Sequence, residues 1–179
     1  MVEKKVDLSI IIPSFNTKKL LFNCLNSIFK QTKNISSQVI VVDNNSTDGS
    51  KKLVKEKFPQ VKLLENKKNL GYAKANNRGL KKAQGKYILF LNSDTIILNK
   101  GIEKSLQFMK KRKLDILGCQ LLNKDKTIQP SGGFFPHLLQ IFYMMFFVDD
   151  LPLLSRWIKS YQQTNLNFWQ KTQQLDWVS

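Results

Sequence analysis

The run Leu8-Ser-Ile-Ile-Ile-Pro-Ser-Phe-Asn16 decides the fold, because an apolar segment of strand length passes directly into polar residues. Further apolar runs stand at Val39–Val42, Val61–Leu64 and Tyr87–Leu91, and amphipathic runs separate them. Strands that are buried on both faces of a parallel sheet have this near-continuous apolar character. The alternation therefore predicts an α/β fold, with a mostly parallel central sheet flanked by helices.

Helices are predicted between these strands. Thr17 is a suitable N-cap for the first of them, and its apolar face is formed by Leu20, Leu21, Cys24, Leu25, Ile28 and Phe29. Gly71 opens a later helix that continues through Ala83. Behind the fourth strand we expect a helix over Ile102–Lys111, a strand over Ile116–Leu122, a turn at Lys124–Lys126 and two helices over Phe134–Tyr161 that break at Pro152.

The length of 179 residues suits a single domain. We expect residues 1–130 to form its ligand-binding core, and residues 131–179 to form a helical, apolar continuation of the same domain. The last residues, Leu175–Ser179, predict a strand that begins where the sequence stops. We therefore expect an N-terminal fragment whose C-terminal part is missing.

The charge is strongly positive. Lys and Arg number 29 against 13 Asp and Glu, which gives a formal net charge of +16. Basic and acidic residues cancel over residues 131–179, so the excess lies in residues 1–130. Such a surface attracts anions, whether nucleic acid, an anionic membrane or a phosphorylated small molecule, but the charge alone does not choose among them.

The N-terminal residues and the cysteines indicate where in the cell the protein is located. Met1–Asp7 is charged and leads straight into the first strand, without the features of a secretory signal. The two cysteines, Cys24 and Cys119, form no CxxC motif, which argues against a metal-thiolate site or a disulfide framework. We therefore expect a reducing, cytoplasmic location.

Polar residues follow all four predicted strands, and they mark the candidate site. They are Pro13-Ser14-Phe15-Asn16, Asp43 to Gly49, Asn66 to Gly71, and Asn92-Ser93-Asp94-Thr95. Ligands of open parallel sheets bind at the carboxyl ends of the strands, so these residues are expected to build one pocket. Neither GxGxxG nor GxxxxGK[ST] is present, which excludes those two phosphate cradles.

Asp43 and Asp94 are the two carboxylates of this predicted pocket. One carboxylate can accept the N–H of a uracil- or thymine-like base, and the other can hold a divalent cation against a diphosphate. Both residues can instead form turns or cap helices, as Asp residues after strands often do. Residue chemistry alone leaves these two interpretations open.

Four segments in order resemble a family 2 glycosyltransferase with the GT-A fold, closest to its rhamnosyltransferase-like members. They are Ser9–Asn16, Val39–Ser50, Asn69–Gly79 and Tyr87–Thr95. The resemblance covers roughly residues 7–130 and is weaker after that. It implies transfer of a sugar, with inversion, from a UDP- or dTDP-sugar to the hydroxyl of a glycan or lipid-linked acceptor, in the synthesis of cell-surface polysaccharide.

The resemblance also implies roles for individual residues. Asp43 would receive the base, and Asp94 would touch the ribose or a Mg²⁺ or Mn²⁺ ion, while Asn92 stands where the family often has another Asp. Lys74 and Arg78 are candidates to stabilise charge on the leaving group, or are solvated helix residues. The implied nucleotide-sugar site comprises Pro13, Ser14, Phe15, Asn16, Asp43, Asn45, Asn69, Gly71, Asn76, Arg78, Asn92, Ser93 and Asp94.

A general base is needed to take the proton of the acceptor hydroxyl. None of the carboxylates after Asp94 stands in the acidic base motif of the family. We therefore expect the base beyond residue 179, and a chain that binds the donor yet transfers sugar poorly.

Two other functional classes are considered. A nucleic-acid-binding module would explain the charge, but the aromatic residues concentrate near Phe134–Phe147, away from the lysines, so no nucleic-acid partner is predicted. A docking domain would use the apolar run Leu138–Val148, which is too short for the about 20 residues of a spanning helix. We expect that run to pack on the sheet, to dock the missing C-terminal part or to lie on the inner face of the membrane.

Overall fold

The computed structural model describes residues 5–135, 137–145, 166–173, 175 and 177–178. The chain divides into two compact units, Met1–Gln107 and Phe108–Ser179. The predicted division of the chain after residue 130 stays a prediction.

The first unit contains a four-stranded sheet, and all of its strands are parallel. The strands are β1 (Leu8–Ser14), β2 (Ser37–Asp43), β3 (Lys62–Glu65) and β4 (Tyr87–Phe90), in the order β3-β2-β1-β4. The central strand β1 therefore has β2 on one side and β4 on the other. This arrangement confirms the predicted α/β class with a parallel central sheet.

Helices follow the strands along the chain: α1 (Lys18–Gln31), α2 (Ser50–Lys57), α3 (Tyr72–Leu80) and α4 (Gly101–Arg112). The alternation of side chains along β1 separates two apolar layers. Ile10 and Ile12 pack in a cluster with α1 residues, whereas Ile11 packs in a second cluster with Ala75 of α3. Burial on both faces is the reason for the continuous apolar runs of β1 and β2.

Three details of the helices differ from the predictions. Leu20 is 45% exposed, because the buried stripe of α1 consists of Leu21, Cys24, Leu25 and Ile28. Thr17 stands at the N-cap position but makes no capping hydrogen bond with its side chain. Helix α3 ends at Leu80 rather than Ala83, and the next residues form a turn.

The second unit contains two short antiparallel pairs. Only Leu121–Leu122 of the strand predicted over Ile116–Leu122 is a strand, β5, and it pairs with β6 (Ile128–Gln129). The turn predicted at Lys124–Lys126 joins these two strands. Strand β7 (Gly132–Gly133) pairs with β8 (Trp177–Val178), which lies in the predicted C-terminal strand.

The apolar run is described as far as helix α5 (Leu138–Met145), in which Leu138 and Met145 are exposed. A 3-10 helix spans Leu166–Gln170, while the predicted break at Pro152 lies outside the described residues. None of the helices in the described ranges combines the length and apolar character that crossing a bilayer requires. Contact of Leu138–Val148 with a membrane stays a prediction.

Candidate functional site

The candidate site lies at the edge of the sheet where the four parallel strands end. Ser14 and Asp43, the last residues of β1 and β2, are register partners. Asp94 follows β4, which pairs with the other side of β1. Since neighbouring strands are about 4.8 Å apart, β2 and β4 are separated by roughly 10 Å. The two aspartates thus follow the same edge of the sheet, one on each side of β1, as the sequence predicts.

Asp43 is buried, and its two carboxylate oxygens differ. Oδ1 accepts a 2.8 Å hydrogen bond from the backbone N–H of Ser46. Oδ2 is fully buried and has no partner among the described residues. A buried carboxylate oxygen without a donor is costly, and such groups are rare in folded proteins. Asp43 therefore offers one acceptor position to a donor that the described residues do not supply.

Asn16 joins the loop after β1 to the loop after β2. Its backbone N–H donates to Ser46 Oγ at 2.9 Å, and its side-chain Oδ1 accepts from the backbone N–H of Thr47 at 2.9 Å. Asn16 adopts a φ of 53°, a left-handed conformation that Asn tolerates better than most residues. Its amide oxygen is thus engaged in holding the loops, while Asn45 forms the turn beside it with a φ of 70°.

Three hydroxyl groups connect β1 to the segment after β4. Ser14 Oγ and Thr17 Oγ1 are hydrogen-bonded at 2.9 Å, and Thr17 Oγ1 donates to Ser93 Oγ at 3.1 Å. Ser14 and Ser93 are both buried. This contact explains why Thr17 does not cap α1, because its hydroxyl serves the strand edge instead.

Asp94 lies in a turn that rests on α1. The turn is closed by a 3.2 Å hydrogen bond from the backbone N–H of Thr95 to the carbonyl of Asn92, and the same carbonyl accepts the thiol of Cys24 at 3.7 Å. Burial, and secondarily the negative charge of Asp94, raise the pKa of the Cys24 thiol to about 12. Asn92 and Asp94 are exposed, so their side-chain oxygens are accessible to a ligand.

The end of β3 is fixed by hydrogen bonds among Asn44, Asn66 and Arg78. Asn66 donates from its backbone to the carbonyl of Asp43 at 2.8 Å, and from Nδ2 to Asn44 Oδ1 at 2.7 Å. Arg78 of α3 donates through its Nη1 to Asn66 Oδ1 and, at 2.8 Å, to the carbonyl of Glu65. This Nη1 therefore holds the end of β3 in place. The only sequence signal for Asn44 and Asn66 is their position directly after strands.

The remaining predicted residues lie at or near this edge. Asn69 Oδ1 accepts the backbone N–H of Gly71 at 2.9 Å, and Gly71 has the positive φ of 78° that favours glycine. Asn76 is buried on α3, and its Oδ1 has no partner among the described residues. Pro13 is buried within β1, whereas Phe15 is 46% exposed just beyond it.

A cavity of about 440 Å³ lies at the β2–β3 side of this edge. Its lining includes Ser46, Thr47 and lysines of α2, but neither Asp43 nor Asp94. Lys55 and Glu65, which also line it, form a 2.8 Å salt bridge that lowers the pKa of Glu65. We do not assign this cavity to the predicted nucleotide site.

The residues of the edge fit a cation that arrives with a substrate. Within the described part of the chain, no three His, Cys, Asp or Glu side chains cluster to form a metal site of their own. Mg²⁺ is commonly held by one or two carboxylates together with substrate phosphates and water. Asp94 supplies one carboxylate, and the Asn92 amide oxygen is a neutral oxygen donor two residues before it.

Residues 9–166 match the family model described as glycosyl transferase family 2. The chain is 33% identical over 132 residues to glycosyltransferase GlyG of Streptococcus pneumoniae, a match that covers 72% of the chain and 42% of GlyG. It is 32% identical to the putative teichuronic acid biosynthesis glycosyltransferase TuaG of Bacillus subtilis, over 71% of the chain and 52% of TuaG. The chain thus spans about half or less of the length of these relatives.

The chain also resembles solved structures and a further relative. The crystal structure of S. aureus TarS matches with a TM-score of 0.63 and 27% identity, over 73% of the chain and 24% of TarS. TarS 1–349 in complex with UDP-GlcNAc matches with a TM-score of 0.56 and 29% identity, over 60% of the chain and 32% of that protein. A poly(ribitol-phosphate) beta-glucosyltransferase of Bacillus spizizenii is 35% identical over 70% of the chain and 20% of its own length.

Proposed function

The chain belongs to glycosyl transferase family 2 and has the GT-A fold, and we propose that it binds the nucleotide-sugar donor of a transferase that builds cell-surface polysaccharide. The acceptor would be a hydroxyl group of a glycan or lipid-linked polymer. Relatives named for teichuronic acid synthesis and for poly(ribitol-phosphate) glucosylation support this choice. The observation that carries the proposal is the buried, unpartnered Oδ2 of Asp43 at the edge where the strands end.

Uracil is the base that suits Asp43 best. Its N3–H can donate to a carboxylate oxygen, and the exposed Phe15, which follows the register partner of Asp43, offers an aromatic surface at the same edge of the sheet. The complexes of TarS with UDP and with UDP-GlcNAc support a uridine donor. Thymine presents the same N3–H, so a dTDP-sugar is the alternative donor. Asn76, with its unpartnered amide oxygen, is proposed to face the same nucleotide.

Asp94 and Asn92 are proposed to face the diphosphate. A divalent cation held there, Mg²⁺ or Mn²⁺, would neutralise part of the negative charge that grows on the leaving nucleoside diphosphate. The turn of Asn92–Thr95 presents both side chains to solvent, which leaves them accessible to the diphosphate. Lys74, exposed on α3, is a candidate to add positive charge.

The acceptor hydroxyl is proposed to attack the anomeric carbon from the side opposite the diphosphate, which inverts the configuration. The proton of that hydroxyl goes to a general base. That this base lies beyond residue 179 stays a prediction, and so do the resemblance to rhamnosyltransferase-like members and a cytoplasmic location at the inner face of the membrane.

Titration calorimetry of the chain with UDP tests the proposal. We expect binding that Mn²⁺ or Mg²⁺ strengthens, with the strengthening lost in Asp94→Ala and retained in the control Asp115→Ala, another exposed aspartate. A short DNA duplex, titrated under the same conditions, should not compete with UDP. Failure of UDP and dTDP to bind, or displacement of UDP by the duplex, would contradict the proposal.

A further inference from the structure

Thr17 connects the end of β1 to the segment that follows β4. Its hydroxyl bonds Ser14, which is the register partner of Asp43, and it donates to Ser93, which precedes Asp94. A single side chain at the start of α1 is therefore one hydrogen bond away from a neighbour of each aspartate. None of the proposed roles of the donor site uses this hydroxyl.

Helix α1 also supports the segment after β4 at three further points. Cys24 donates its thiol to the carbonyl of Asn92, Ser27 Oγ accepts the backbone N–H of Ile97 at 2.9 Å, and Gln31 Oε1 accepts that of Lys100 at 3.1 Å. The segment from residue 92 to residue 100 thus runs along α1. Thr17 supplies the contact adjacent to Asp94 in sequence.

The two contacts that hold the residues just before Asp94 differ in strength. A thiol is a weak donor, and the 3.7 Å separation between Cys24 Sγ and the Asn92 carbonyl is long. The hydrogen bond from Thr17 to Ser93 joins a hydroxyl that is partly buried to one that is buried, at an ordinary distance. Because Asp94 itself is exposed, the position of its carboxylate depends on how firmly this turn is held.

We propose that Thr17 is a positioning residue, which fixes the Asp94 turn relative to the nucleobase side of the site so that cation and nucleotide bind together. This inference rests on the proposed function. Binding a cation between one carboxylate and a diphosphate requires both to be held in a defined geometry. Loss of the hydroxyl would leave Ser14 and Asp43 in place on the sheet but free the turn that carries Asp94.

The substitution Thr17→Val tests this inference, because it removes the hydroxyl and keeps the shape of the side chain. The factor by which Mn²⁺ increases the affinity for UDP should be about five times smaller in this variant than in the unaltered chain. A difference of that size corresponds to the loss of one hydrogen bond. UDP affinity without metal should be unchanged, and Thr17→Ser should restore the metal effect. An equal loss of UDP affinity with and without metal would overturn the inference.

Thr32→Val is the matched control. Thr32 follows the other end of α1 and is buried, but its Oγ1 has no hydrogen-bond partner among the described residues. The same change of side chain at that position should leave the metal effect intact. If Thr32→Val weakened the metal effect as much as Thr17→Val does, the cause would be a less stable α1 rather than the lost hydrogen bonds of Thr17. The inference would then be wrong.

Amide hydrogen exchange separates this inference from the proposed function, because it needs no ligand. In Thr17→Val, the amides of residues 92–95 should exchange faster, whereas those of β2 should not change. Thr17→Ser and Thr32→Val should exchange as the unaltered chain does. If the unaltered chain failed to bind UDP, the proposed function would fall, and faster exchange would still support the positioning of the turn by Thr17. Unchanged exchange in Thr17→Val would overturn it in either case.

Discussion

The backbone N–H of Ser46 donates to one carboxylate oxygen of Asp43 at 2.8 Å, and the second oxygen is buried without a partner among the described residues. The hydrogen bond from Ser46 is the one expected of an Asp that forms a turn after a strand. The second oxygen has no structural use within the described part of the chain. The first oxygen therefore fits the turn-forming interpretation, while the ligand-binding interpretation, which the second oxygen would serve, stays a proposal.

Asp43→Asn should weaken UDP binding by at least about tenfold. If the amide oxygen of Asn keeps the hydrogen bond from Ser46, its NH₂ group takes the place of Oδ2. An NH₂ group is a donor, so it cannot accept the N–H of the base. Stability should stay the same, since the amide oxygen keeps the bond from Ser46 and the position of the unpartnered Oδ2 is taken by another polar atom without a partner among the described residues. Calorimetry with UDP and urea unfolding measure the two effects. Asp115→Asn, an exposed control, should change neither. A purely turn-forming Asp43 would give the opposite result, with lower stability and unchanged affinity.

Arg78→Ala should lower the free energy of unfolding by about 1–2 kcal/mol, because the buried amide oxygen of Asn66 and the carbonyl of Glu65 lose the donor that Arg78 supplies. Urea unfolding measures the change. Lys74→Ala, on an exposed position one turn earlier in α3, is the control and should stay within about 0.5 kcal/mol. Equal stability of the two variants would show that Arg78 is merely solvated, as exposed basic helix residues often are.

The sheet could be predicted from sequence because burial on both faces leaves a direct signal, the continuous apolar runs of β1 and β2. The polar strand ends could be predicted for a similar reason, since parallel strands bring their carboxyl ends to one edge. The roles of Thr17 and Arg78 could not. Each depends on a partner distant in sequence, Ser93 for Thr17 and Asn66 for Arg78, and local pattern assigns such residues to a helix cap or to solvent.

Gly79→Ala should destabilise the fold, because α3 packs closely on the sheet at this point. A Cβ at Gly79 would lie 2.4 Å from Cγ2 of Ile11 and 3.3 Å from Cγ2 of Val42, both in the buried second apolar layer. Overpacking of this kind costs about 1–3 kcal/mol, partly offset by the better helix propensity of Ala.

Urea unfolding of Gly79→Ala, with Gly101→Ala as the control, measures this effect. Gly101 is likewise a helical glycine, the first residue of α4, but a Cβ there would have no atom within 4 Å. We expect Gly101→Ala to be as stable as the unaltered chain or more stable by up to about 1 kcal/mol. If both variants unfolded at the same urea concentration, the close packing of α3 on Ile11 would be refuted.

Glu103 should make stability depend on pH. Its Oε1 accepts the backbone N–H groups of Lys33 and Asn34 at 2.7 and 2.8 Å, and its Oε2 accepts the side chain of Asn34 at 3.0 Å. The backbone and then the side chain of Asn34 are the main causes that hold the pKa of Glu103 below its ordinary value. The charged carboxylate therefore joins α4 to the residues after α1.

Since the folded pKa is lowered, the contribution of Glu103 is complete above the ordinary pKa of about 4.3 and is lost as the pH falls through the folded value. Glu103→Gln should therefore be less stable than the unaltered chain at pH 7, and the difference should shrink between about pH 5 and pH 3. Urea unfolding at a series of pH values measures the difference. Glu56→Gln, whose carboxylate pairs only at 3.8 Å with Lys52 on the surface, should show little difference at any pH. A gap between Glu103→Gln and the unaltered chain that stayed constant from pH 7 to pH 3 would mean that the lost packing of the side chain, rather than its charge, sets the stability.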